Sequence, residues 1–152
     1  MNRADTLATA IGRGLLAGLA GTAAMTISST VEARLRGRAF STAPARATAK
    51  VLGIREFDSD LARARWNDLS HWGYGTGWGV LRGLLGALPM SPRAATVAHG
   101  AAIYGAAQIT LPALDIAPPS IFLGAEEIAI DAFHHAVYAA ATGAAYAAIT
   151  PS

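Results

Sequence analysis

Residues 14–31 read GLLAGLAGTAAMTISSTV, 18 positions without a charged side chain, and this run decides the fold class. A helix needs about 20 apolar residues to cross a bilayer, so the run is close to one span. Three more runs repeat the pattern. Asp68 and Arg93 enclose 24 residues interrupted only by Arg82, residues 94–114 hold 21 without Asp, Glu, Lys or Arg, and residues 132–152 hold another 21. These runs predict an all-α integral membrane bundle of four transmembrane helices, over about 8–31, 69–89, 94–113 and 120–149. The chain of 152 residues is then one membrane domain, 1–152.

Composition argues the same way. Charged residues make up 14%, against about 25% in an ordinary soluble domain. Hydrophobic residues reach 53%, which excludes disorder, and a soluble enzyme this poor in charge would struggle to cover its surface. Ala and Gly supply much of the apolarity and insert weakly. A soluble Ala-rich bundle is the competing reading, but its helices would carry polar faces that these runs lack. A cleaved signal peptide fits poorly, since Arg3 is offset by Asp5 and Arg13 splits the apolar stretch. With no Cys there is no disulfide, thiol nucleophile or thiolate metal site. A net charge of only +2 gives no reason to expect nucleic acid as a partner.

Residues 32–68 form a basic connector between the first two spans, with eight of the twelve basic residues. Ser41 or Thr42 is expected to cap a short helix entered through Pro44 and ended by Gly53, and Asp58 or Ser59 a second stretch leading into the next span. Such an amphipathic segment lies along headgroups, with Leu61 and Trp66 inward and Arg outward; a solvated basic connector is the bland alternative. The positive-inside rule makes the connector cytoplasmic and both termini external, with only Arg3 and Arg93 flanking the far side.

Small residues recur at four-residue steps: Gly14 and Gly18 followed by Thr22, then Gly75, Gly79 and Gly83, and last Ala136, Ala140, Ala144 and Ala148 beside Gly143. This spacing lets backbones approach closely in lipid, which predicts tight packing and self-association or docking into a larger membrane complex. The expected partners are the lipid bilayer and such copies or subunits.

All four histidines, His71, His99, His134 and His135, fall inside or at the edge of the runs. Glu127, Asp131, His134 and Tyr138 follow i, i+4, i+7, i+11, one helical stripe expected to face the bundle interior, while Glu126 points away. Counted from the connector side, Arg82 and Asp131 lie at similar depth, so the two are expected to pair. Arg82, His71 and His99 complete an intramembrane polar track.

The stretch 108–138, QITLPALDIAPPSIFLGAEEIAIDAFHHAVY, resembles the YagU-like bacterial inner-membrane proteins through Gln108, Pro118, Pro119, Phe122, Glu127, Asp131 and His135. The resemblance covers about a fifth of the chain, and the 32–68 connector has no clear counterpart in that family. It implies a bacterial inner-membrane protein linked to acid resistance. It selects His135 where the helical stripe selects His134, and both are kept as candidates.

Two functions compete at this point. One is proton or cation handling, or an acid response, through the acid and histidine track. The other is a non-catalytic assembly or stabilising subunit. A metal or haem site is disfavoured because the second and third spans lack carboxylates, so no metal or cofactor is expected. No enzyme is expected either: there is no nucleophile elbow, phosphate loop or HExxH, and GYGTGWG does not follow a strand.

Overall fold

A computed structural model describes residues 3–150. Among them the chain is all-helical: α1 Arg3–Arg36, α2 Ala43–Val51, α3 Asp60–Gly86, α4 Pro92–Ala113 and α5 Ala125–Ile149, with a 3-10 turn at Ser120–Phe122. The side chain of Arg3, expected to flank the far side, lies outside the described residues.

Local chemistry sets the helix ends. Gly37 takes a left-handed φ of +63°, and Arg38 N–H reaches back to the Ala33 carbonyl at 3.0 Å, closing α1. Gly53, at φ +71°, ends α2 in the same way, with Ile54 N–H on Ala49 at 2.9 Å. Ser59 accepts from Ala62 N–H at 3.1 Å and Ser91 from Ala94 N–H at 3.2 Å, so α3 and α4 each start at a serine cap. Thr42 precedes α2 without a side-chain cap bond. Contrary to the expectation of a helix from 120, residues 120–122 form a 3-10 turn, Leu123 and Gly124 are extended, and α5 begins at Ala125.

Four helices pack as neighbours in an antiparallel up-and-down bundle. A Cβ on Gly14 or Gly83 would overlap the backbone of Gly79 or Ala10, so α1 and α3 touch through bare backbone. Helix α5 crosses α1 at Gly21 and Thr142, and crosses α4 where Gly100 meets Ala139 and Gly143 meets Thr96. The α5 row that does this work is therefore Ala139, Thr142, Gly143 and Tyr146, which are buried. Ala136, Ala140, Ala144 and Ala148, expected to pack, point outward. The Gly143 row wins because it lets Thr96 approach, whereas Ala136 to Ala148 lie about 100° round the helix.

The connector folds back on α3. Thr48 donates to Ser70 at 2.9 Å, Trp66 Nε1–H to the Ala45 carbonyl at 3.0 Å, and Lys50 Nζ to the Leu114 carbonyl at 2.6 Å. The connector and the 114–124 loop therefore sit at one end of the bundle. Trp66 is partly buried, but Leu61 is 60% exposed, a correction to its expected inward position: the first turn of α3 extends past α2.

The interior is built from small alanines with Ile103, Tyr138 and Tyr146 and a set of polar residues, while many large apolar side chains are exposed. Arg82, His99, Thr22 and Thr142 are the largest fully buried side chains, and none is a hydrocarbon. Leu16, Ile27, Val97, Ile109 and Phe133 are exposed. Among the described residues one helix, α1, is long and apolar enough to cross a membrane. Helices α3, α4 and α5 have the length, but the charged residues of α3 and the histidines and tyrosines of all three dilute their apolarity.

Candidate functional site

The expected continuous track divides into separate groups. At the connector end, Glu32 on the last turn of α1 accepts from Arg36 at 3.2 Å and from Arg38 Nε at 2.9 Å. Arg36 also bonds Glu127 at the start of α5 and stands 3.4 Å from Glu126. These charges lie just past the apolar stretch 8–31. Hydrogen bonding to Arg38, and next to Arg36, holds the Glu32 carboxyl at about 2, against partial burial, which pushes it up. The same contact raises the Arg38 guanidinium further above its ordinary range.

His134 sits beneath this cluster, buried between α5 and α1. Its Nδ1 lies 2.9 Å from Ser28 Oγ, whose own proton goes to the Met25 carbonyl at 3.0 Å, so Nδ1–H donates. Nε2 is then a bare lone pair in the neutral ring. It has no hydrogen-bond partner and stands 3.7 Å from Glu32 Oε2. A proton there would turn this contact into an ion pair.

Asp131 and His135 face a different neighbour. Gln108 Nε2 donates to Asp131 at 3.2 Å, Ser120 bonds Gln108, and His135 Nδ1 lies 2.8 Å from the Asp131 carbonyl and 3.3 Å from its carboxylate. The His135 ring packs on Tyr104 of α4 at 5.4 Å. The expected single stripe therefore splits: His134 and Tyr138 are buried as expected, but the Glu127 and Asp131 side chains are 49% and 47% exposed. Four residues carry the chain just over one turn, and the drift of about 40° is enough to hand Glu127 to α1 and Asp131 to α4.

Deeper in, Tyr138 donates to the Gly75 carbonyl at 2.6 Å and its ring packs on His99 at 5.7 Å. His99 Nε2–H donates to the Trp78 carbonyl at 3.0 Å, which leaves Nδ1 without a partner. His71 donates to Thr26 Oγ1 at 2.7 Å, because the Thr26 hydroxyl already bonds the Thr22 carbonyl.

Arg82 does not pair with Asp131. Its guanidinium lies 4.3 Å over the Tyr146 ring, and Nε and Nη1 have no partner. Helices α3 and α5 run parallel, with Tyr138 at Gly75 and Tyr146 at Gly83. Asp131 is thus level with residue 68, about 14 residues or roughly 21 Å of helix from Arg82. The expected match in depth fails because it counted α5 from residue 120.

The sequence reading passed over Glu32, Ser28, Tyr146 and Thr142. Glu32 and Arg36 carry an i, i+4 signal at the end of an uncharged run. No metal-ligating cluster occurs among the described residues. Comparison with protein-family models, curated proteins and solved structures returns no match.

Proposed function

We propose that this chain is a multi-pass inner-membrane protein of the YagU-like kind that responds to acid through the contact between His134 and Glu32. Four helices span, over about 8–31, 69–86, 94–113 and 125–149, with the connector cytoplasmic and the termini external. The observation that carries the membrane reading is the inverted interior: Arg82, His99, Thr22 and Thr142 inside, and Leu16, Val97 and Phe133 outside. Water would select the reverse arrangement.

The acid response rests on His134. With the His134 ring charged, the 3.7 Å contact with Glu32 is an ion pair that holds α5 to α1. Glu32 also holds Arg36 and Arg38, so the change reaches the basic connector directly. The separated groups favour such a local response over a relay across the membrane.

Protease cleavage of the connector in proteoliposomes, at neutral and mildly acidic pH, tests this. Protection should increase on acidification in the wild type and stay constant in His134→Gln. Equal acid protection in both would sink the acid response, and release of the chain from membranes by carbonate would sink the membrane reading.

A second reading, an assembly or stabilising subunit, is favoured by one feature. Ala136, Ala140, Ala144 and Ala148 form an outward small-residue row that no helix of this chain covers. Crosslinking from Cys introduced at Ala140 would report a partner helix there.

A further inference from the structure

Arg82 is 2% exposed, it carries a positive charge, and no carboxylate among the described residues bonds it. Its Nε and one terminal nitrogen, on two edges of the guanidinium, lack hydrogen-bond acceptors. The Tyr146 ring covers one face of the group at 4.3 Å. The ring faces the cation with its quadrupole but offers no lone pair to the in-plane N–H groups.

Among the described side chains the surroundings supply no anion, and α1, which packs on α3 here, carries no described carboxylate before Glu32. Helix α4 contains no Asp or Glu, α3 has none after Asp68, and those of α5 end at Asp131, far down the bundle. His99 lies one turn back, bonded to the carbonyl of Trp78, but a neutral imidazole nitrogen does not balance the charge. Burying an unpaired charge and unsatisfied donors is costly, and more so where lipid surrounds the helices. Arg82 is also four residues from the end of α3 at Gly86, roughly one turn from the bundle's far end. An ion can therefore arrive from that side without crossing the bundle.

We propose that Arg82 binds a small monovalent anion of the halide class inside the bundle, held by the guanidinium edges beside the Tyr146 ring. Smallness follows from the close fit: a Cβ on Gly86 would come within 2.6 Å of the Tyr146 ring and hydroxyl, so this end has little spare room. A spherical ion also accepts N–H donors from separate directions, which suits two unpaired edges better than one planar bidentate group. The site is independent of the His134 and Glu32 contact at the opposite end.

The test uses full-length protein in a phosphate-free maltoside detergent at constant ionic strength, with chloride, bromide or gluconate as the anion. Chloride and bromide should raise the melting midpoint saturably by several degrees over gluconate, and Arg82→Met should lose that response. Equal midpoints in the three anions, or an unchanged halide response in Arg82→Met, would overturn the proposal. Should Arg82→Met fail to fold, wild-type crystals grown in bromide decide. An anomalous peak within hydrogen-bonding distance of the Arg82 guanidinium supports the site, and water alone in that position refutes it.

Discussion

His134 Nε2 stands 3.7 Å from Glu32 Oε2, while Nδ1 of the same ring is bonded to Ser28 on the same helix as Glu32. The ring is thus tied to α1 by one nitrogen and aimed at an α1 carboxylate with the other. Glu32 and Arg36 face it from α1, with Glu127 and Asp131 nearby on its own helix. Removing the Nε2 position should abolish coupling between pH and the α1–α5 end. Amide protection at 28–38, corrected for the intrinsic slowing of exchange in acid, should rise on mild acidification in the wild type and not in His134→Gln; an equal rise in both would reject the coupling.

Glu32 itself gives a second pH dependence of opposite sign. Its carboxyl lies at about 2 in the folded chain against 4.5 when free, so it releases its proton more readily folded. The resulting stability is present above 4.5 and lost as pH falls towards 2. Melting midpoints of wild type should drop across that window more steeply than those of Glu32→Gln. Parallel curves would mean that the two arginines contribute nothing to folding through Glu32.

Arg82 and Asp131 should behave as strangers. With about 14 residues, roughly 21 Å, between their levels and no shared partner, losses from Arg82→Met and Asp131→Asn should add within about 0.5 kcal/mol. A larger interaction energy in a double-mutant cycle would indicate a linkage that the geometry lacks.

The α1–α3 seam makes a sharper claim. An added Cβ on Gly79 would lie 2.8 Å from the Gly18 Cα and overlap the Gly14 carbonyl. Backbone cannot swing aside as a side chain can, so Gly79→Ala should cost about 1–3 kcal/mol or more. On the same helix Gly77 has nothing within 4 Å, and Gly77→Ala should be neutral or stabilise by up to about 1 kcal/mol through helix propensity. Equal effects at both positions would contradict the seam.

These cases show what was legible before the fold. Spacing alone found Gly14, Gly18, Gly75, Gly79 and Gly83, because four-residue steps translate directly into one helix face. The Ser59 cap, offered beside Asp58, was equally local, whereas the Ser91 cap was not anticipated. Partner choice was not: Asp131 goes to Gln108 and Arg82 to Tyr146, and both depend on where α5 starts and how far its face drifts. The alanine row misled for a related reason. In a helix this rich in Ala and Gly, several faces carry small residues, and only Thr96 and Thr142 reveal which one is used.

The last prediction separates lipid from water as the medium around the bundle. Leu16 is 63% exposed well inside α1, and Val97 71% exposed on α4, about one turn past its start. Neither fills a core position, so on a soluble protein Leu16→Arg or Val97→Arg would change stability by no more than about 0.5 kcal/mol. In a bilayer the same side chains meet hydrocarbon. An arginine near the middle of a spanning helix, as at Leu16, costs about 2.5–3.5 kcal/mol on an insertion scale, and less at Val97, closer to the end of its span. Both variants should therefore fall in membrane yield and melt lower. Ile121→Arg provides the internal control, since that residue is 83% exposed in the turn before α5, where charge is tolerated. Wild-type yield and stability for Leu16→Arg and Val97→Arg would mean that water covers these faces, and the inverted interior would then need a protein partner to explain it.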